Sequence, residues 1–202
     1  MLFKIIAVFI LLTFYSCYFI KLFLQRRKDI RTDYLGIGKR GVAFVVEILL
    51  KCASIIVLVA EAASIFLTEP RYLPETVRFA GAAIGMLGTA VFICSVVTMK
   101  DSWRAGVSEK EKTELVTGGI YKFSRNPAFF GFYLVYAGIV CMFFNGILFG
   151  VTLFAIVIFH FQIVFVEEPF LSATFGNEYV QYTKKVNRYF GRKFHTANGR
   201  EI

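Results

Sequence analysis

Apolar residues run along this chain in long blocks separated by short, charged connections. The blocks near 2–24, 42–68, 77–99, 128–144 and 147–166 are continuous rather than alternating. A hydrocarbon core of about 30 Å takes roughly 20 helical residues at 1.5 Å each, so the pattern predicts five transmembrane helices. The fourth block is the shortest and is expected to be the least tilted or shielded by its neighbours. Pro70 and Pro74 mark an outer connection, Pro127 opens the fourth span and Pro169 is expected to close the fifth. Past Pro169 the pattern changes. Phe175, Tyr179, Tyr182, Val186 and Tyr189 recur every three to four residues, with Lys184, Lys185, Arg188 and Arg192 on the other faces. That predicts an amphipathic helix lying at the membrane interface. The fold class is therefore all-α: a membrane bundle of about five helices with a C-terminal interfacial helix.

Between Pro127 and the fifth block's end the apolar run breaks once, at Asn145-Gly146. Pro127 lies 19 residues before Gly146 and Phe165 lies 19 after it. A helical hairpin turning there brings two polar segments to one membrane face: Glu114 to Pro127, and Glu167-Glu168-Pro169-Phe170. Asn126 suits the N-cap of the fourth helix, with Pro127 at its first position. An arginine, an amide, a helix N-terminus and two carboxylates then converge. On composition the chain reads as one domain over 1–202: three N-terminal spans over 1–99, then a polar loop, hairpin and interfacial helix over 100–190.

Composition agrees, with 57% hydrophobic residues, 24 Phe, 18% charged residues and a mean hydropathy of +0.63. The net charge of +9 invites a nucleic-acid partner, but its distribution argues otherwise. Segments 25–41, 100–127 and 170–202 hold six Lys or Arg each, against three (Lys4, Arg71, Arg78) on the alternate side. This is the positive-inside pattern of an outside N-terminus and a cytoplasmic C-terminus, so the basic excess records topology. The first block, followed by Gln25-Arg26-Arg27-Lys28, reads as an uncleaved anchor.

Cys17, Cys52, Cys94 and Cys141 sit singly in apolar runs and are expected as buried free thiols. His160 and His195 are too far apart for a helical ligand pair, so no metal is expected. Gly81, Gly85 and Gly88 on the third span allow close helix packing. Glu47, Lys51, Glu61 and His160 fall inside spans, where charge is costly and marks function by default. Glu47 and Lys51, four apart, are expected to pair. His160 lies seven residues before Glu167 on nearly the same helical face, towards the pocket or bonded within the bundle.

The ordered set Leu115-Val116-Thr117-x-Gly119-Ile120-Tyr121, Arg125-Asn126-Pro127-x-Phe129-x-Gly131, Glu167-Glu168 and Phe175-Gly176-x-Glu178-Tyr179-x-x-Tyr182 resembles the membrane methyltransferases of the isoprenylcysteine carboxyl and phospholipid methyltransferase family. The resemblance covers about 100–190; the N-terminal spans share only hydropathy. It implies S-adenosyl-L-methionine as methyl donor and a membrane lipid or lipophilic acceptor entering from the bilayer. The family's cofactor contacts fall here on Thr113, Glu114, Leu115 and Val116, on Tyr121, on Asn126, Pro127, Ala128 and Phe129, and on Glu167. Arg125, Asn126 and Glu168 are the expected catalytic residues.

Residue chemistry supports that reading. The helix N-terminus at Asn126, with Arg125 beside it, suits a carboxylate. Glu167 suits an ammonium, and the rings of Tyr121 or Phe129 suit a sulfonium. Two departures stand out. The family motif carries His where this chain has Asn126, and the prenylcysteine enzymes carry an Arg where this chain has Ile163. The pattern leans towards phosphatidylethanolamine methyltransferases, and an amine acceptor calls for a base among Glu168, Tyr121 and His160. The competing functions are a sterol-reductase-like oxidoreductase of related architecture and a non-enzymatic lipid-binding or transport subunit.

Overall fold

A computed structural model of the chain describes residues 1–67, 73–107 and 114–193. Six helices make the frame: α1 (Leu2–Arg26), α2 (Gly41–Leu67), α3 (Glu75–Met99), α4 (Pro127–Met142), α5 (Gly146–Gln162) and α6 (Glu168–Lys185). Short 3-10 turns occupy Lys100–Ser102 and Gly119–Lys122, and the described residues contain no β-strand. Four segments are long and apolar enough to cross a membrane: Leu2–Arg26, Gly41–Leu67, Glu75–Ser102 and Gly146–Lys185. Helix α4 is the short fifth. The all-α bundle is as the apolar pattern predicts, and the exposed Phe9, Leu12, Phe19, Ile55, Val59 and Leu153 give it an apolar outer face.

Helix α4 has 16 residues, about 24 Å of rise, less than a hydrocarbon core. Its shielding comes from α3, against which it lies backbone to backbone. A Cβ on Gly138 would stand 2.6 Å from the Gly81 carbonyl oxygen, and one on Gly88 would stand 2.8 Å from that of Gly131. The small residues at these positions are therefore used for packing. Phe14 of α1, Phe92 of α3 and Phe132 of α4 fill the centre with ring centroids 4.5 to 5.2 Å apart.

The hairpin turns where the sequence breaks. Asn145 caps α5 by accepting from the Leu148 N–H at 2.9 Å, and its amide donates to Ser64 of α2 at 2.8 Å. Lys4 donates to the Phe66 carbonyl and Arg78 to that of Met142. The start of α1, the end of α2, the start of α3 and the hairpin turn thus share one end of the bundle. The polar segments gather at the other end.

Four expectations about local structure are corrected. Pro169 does not end the fifth span. The chain passes through a π-helical turn, Ile163–Glu167, straight into α6, with Pro169 in its first turn where a missing N–H is harmless. The interfacial helix does not reach Tyr189: it breaks at Gly176 (φ 50°) and stops at Lys185, and Val186 is extended. Glu47 does not pair with Lys51. It binds Lys39 and the Gly36 N–H, while Lys51 reaches Asp33 at 3.1 Å. A neighbouring loop offers each of them a partner that need not bend along its own helix. Finally, Cys52 and Cys94 are exposed on the bundle surface rather than buried, with Cys17 and Cys141 half-buried; all four are free.

Candidate functional site

The connection after α1 folds back on the connection after α3. Buried Gln25 accepts from the Thr32 hydroxyl at 2.7 Å and donates to the Trp103 carbonyl at 3.0 Å. Backbone bonds from Tyr34 to Ala105 and from Ala105 to Thr32, each 2.8 Å, zip the two loops together. This lays Trp103 to Val107 across the polar end of the bundle. The C-terminal segment comes back in the same way. The Arg125 and Asn126 N–H groups donate to the carbonyls of Asn187 and Arg188 at 3.0 and 3.2 Å, and the Gly191 N–H donates to that of Phe123 at 2.7 Å.

These loops close over a cavity of about 500 Å³. Of the residues singled out in the sequence, Glu114, Leu115, Val116, Tyr121, Arg125, Asn126, Ala128, Phe129 and Glu167 stand on its wall. Phe175, Tyr179 and Tyr182 of α6 form part of the same wall, so the predicted interfacial helix roofs the cavity. Pro127 is not among the wall residues; it is buried at the first position of α4. Thr113 lies outside the described residues. Glu168 stands apart from this wall, in a polar groove on the other side of Arg125.

The charged groups pair across elements. Arg125 contacts Glu168 at 3.1 Å and donates to the Tyr179 hydroxyl at 3.1 Å. Glu168 also takes a two-pronged bond from Arg188, both arms 2.8 Å. Such planar guanidinium–carboxylate pairing fixes orientation as well as charge. The Arg125 Nε stays buried without a partner. Asn126 occupies the N-cap position of α4, but its side chain makes no capping bond. It donates instead to the Arg188 carbonyl at 3.1 Å, tying the tail to the motif. The Tyr121 ring lines the cavity, and its carbonyl accepts from Tyr182 at 2.6 Å. Burial, with the nearby Glu167 and Tyr182, pushes the Tyr121 hydroxyl well above the usual phenol range, so it stays protonated. His160 does not stand on the cavity wall; its ring bonds the Tyr189 hydroxyl at 2.5 Å.

The sequence reading missed the N-terminal half of the wall. Tyr15 and Tyr18 of α1, Leu50, Lys51 and Ser54 of α2, and Trp103 and Arg104 beyond α3 all face the cavity. The available signal was slight: a polar Lys51 and Ser54 three residues apart on one helix, and the single tryptophan at a span's end.

A family model described as phospholipid methyltransferase matches residues 77–178, from the start of α3 to the middle of α6. Among curated proteins, a probable protein-S-isoprenylcysteine O-methyltransferase of Oryza sativa subsp. indica is 28% identical over 130 residues, 60% of this chain and 67% of that protein. The protein-S-isoprenylcysteine O-methyltransferase of Schizosaccharomyces pombe is 32% identical over 111 residues, 52% of this chain and 46% of that protein. Protein-S-isoprenylcysteine O-methyltransferase B of Arabidopsis thaliana is 33% identical over 82 residues, 40% of this chain and 41% of that protein. The family match runs over half of the chain and takes in both polar segments and the hairpin between them: this protein belongs to the phospholipid methyltransferase family.

Proposed function

We propose that the protein transfers a methyl group from S-adenosyl-L-methionine to a lipophilic acceptor inside this cavity, at the cytoplasmic membrane face. One observation carries the reading. Two polar segments separated by a whole hairpin share a single cavity wall, which continues between α1 and α2 into the apolar bundle. When bound, S-adenosyl-L-methionine supplies an electrophilic methyl group on a sulfonium. The donor set fits that group. Glu167 is the acid for its ammonium, Arg125 the cation for its carboxylate, and Tyr121 and Phe129 the aromatic faces for its sulfonium. The unpartnered Arg125 Nε leaves that guanidinium one donor to spend on a ligand. Glu114, Leu115, Val116, Asn126 and Ala128 complete the pocket, and Pro127 sets the start of α4 behind them.

Glu168 acts through Arg125. Held by two guanidiniums, it keeps its charge and fixes Arg125 on the wall, which makes it a positioning residue and a weak proton acceptor. Tyr121 stays protonated, and His160 is engaged with Tyr189. The three groups considered as a base for an amine are thus poorly placed for that work. Arg104 on the wall adds a cation where Ile163 supplies none, while Lys51 there is paired with Asp33. An acceptor carboxylate, which needs no deprotonation, fits these residues better than a phospholipid amine, and it matches the O-methyltransferase names of the relatives. Positioning in a water-poor cavity would then be the main source of rate.

Calorimetry with S-adenosylhomocysteine on detergent-solubilised protein tests the donor site. Saturable binding is expected, and its absence in folded wild type overturns the reading. Orientation is tested with a single cysteine at position 73 on a cysteine-free background. Labelling from the outside is expected, and strong labelling from the cytosol reverses the topology.

A further inference from the structure

Glu61 of α2 is fully buried, and neither of its carboxyl oxygens has a hydrogen-bond partner. It is seven residues beyond Ser54, about 10 Å deeper along the helix from the polar end. Two hydroxyls from other helices sit within its electrostatic reach: Tyr15 of α1 and Tyr136 of α4. Tyr136 is fully buried, and the two hydroxyls lie beside each other, with Ser54 next to that of Tyr136; neither reaches Glu61 with a hydrogen bond. Three helices therefore bring polar groups to one place in the hydrocarbon layer, and the Glu61 carboxyl among them is orphaned. Buried polar groups in native proteins are nearly always bonded, and ionisable ones at membrane depth are rare without a function.

The cluster adjoins the cavity through Tyr15, while Glu61 and Tyr136 are fully buried just behind the wall. Tyr15 and Ser54 stand on the cavity wall, and the Tyr136 hydroxyl neighbours both. Tyr136 is ten residues beyond Asn126, so the cluster lies roughly 15 Å from the motif end of α4. Its chemistry is mixed: Glu61 offers two acceptor oxygens, and the tyrosines offer O–H donors. A group that both donates and accepts satisfies such a cluster, as a hydroxyl does. An ammonium only donates, and a carbonyl only accepts.

We infer that Glu61, Tyr15 and Tyr136 form a second subsite, entered past Tyr15 from the deep end of the cavity, which binds a hydroxyl carried on the far end of the lipophilic acceptor. This rests on the methyl-transfer reading for the word acceptor, while the subsite itself stands on the orphaned Glu61 carboxyl. The single tryptophan, Trp103, lines the cavity and reports its occupancy by fluorescence. Dodecanol, its α,ω-diol and the ω-amino alcohol are titrated into wild type, Glu61→Leu, Glu61→Gln and Tyr136→Phe in one detergent. S-adenosylhomocysteine calorimetry is run on each.

Wild type is expected to bind the diol about tenfold tighter than dodecanol, the value of a well-made buried hydrogen bond. Glu61→Leu should abolish that preference and Tyr136→Phe reduce it, with S-adenosylhomocysteine affinity unchanged in both. Equal binding of diol and dodecanol by wild type overturns the inference, and so does a preference that survives Glu61→Leu. Tighter binding of the amino alcohol than of the diol overturns the hydroxyl assignment. Should Glu61→Leu fail to fold, Glu61→Gln decides, since it keeps the volume and must still weaken the diol preference. Loss of S-adenosylhomocysteine binding in wild type with the diol preference intact would fail the methyl-transfer reading and leave the subsite standing.

Discussion

Helices α3 and α4 meet through glycines, and α2 and α5 meet through polar side chains. The first contact has Gly81 and Gly88 facing Gly138 and Gly131 with no room for a methyl group, while a methyl on Gly85 would meet Ile10 of α1. The second has Ser64 bonded to Asn145 at the hairpin end and Gln162 donating to Glu47 at 3.4 Å at the motif end. Close backbone approach makes a contact with one good register, because sliding it drives carbonyl oxygens into Cα atoms. Side-chain contacts of the second kind can be altered one at a time. The difference teaches that α3 and α4 form the frame holding the Arg125–Phe129 segment in place. The α2–α5 contact carries polar groups that can be removed one at a time without a backbone clash.

Breaking the frame should have the largest effect. Gly138→Leu puts a side chain where even a Cβ would lie 2.6 Å from the Gly81 oxygen and the Gly85 nitrogen. Neither backbone atom can move aside. The cost is on the order of 3 kcal/mol or more, and size-exclusion chromatography of the solubilised protein should show loss of the folded peak. If Gly138→Leu melts like wild type, the close packing of α3 and α4 is wrong.

The next effect sharpens the comparison from the other side. Glu167→Gln keeps side-chain volume and removes the charge proposed to meet the methionyl ammonium. Losing a charge-assisted bond costs about 1.5–3 kcal/mol, so S-adenosylhomocysteine should bind roughly ten- to a hundredfold more weakly at unchanged melting temperature. Arg125→Ala should do the same, with some added loss from Glu168 and Tyr179. A Glu167→Gln protein with wild-type affinity removes that glutamate from the site.

A smaller change is expected at the hairpin turn. Asn145→Ala loses the α5 cap and the Ser64 bond, about 1 kcal/mol, seen as a lowered melting temperature with cofactor affinity intact. The smallest is Glu178→Gln. This side chain is exposed on α6, and its substitution should change stability by less than about 0.5 kcal/mol and leave binding untouched. A large binding defect at Glu178 would mean that the roof, not the motif pair, controls the cavity.

Much of this was legible before any coordinates. The apolar blocks, the hairpin turn at Asn145-Gly146 and the glycine face of α3 follow from local pattern, because hydrocarbon forces each span into a helix whatever its neighbours do. The polar motifs carried their own spacing, and nine of their residues reach one wall. The partners were not legible. Glu47 and Lys51 looked like a helical pair, yet Lys39 and Asp33 on a loop took them instead. Glu168 looked free to act as a base until Arg188 came back from beyond α6 to hold it.

The sequence by itself determined that this protein lives in a membrane as a helical bundle, and which two segments would meet at one of its faces. Hydropathy and a fixed helical rise suffice for that, since both act along the chain. Only the tertiary structure decided which side chains complete the cavity. Tyr15, Ser54 and Trp103 reach it from separate elements, and the carboxyl of Glu61 is stranded among helices that lie far apart in sequence. Lateral helix order and loop return paths decide those contacts, and no periodicity along a single strand of sequence encodes them.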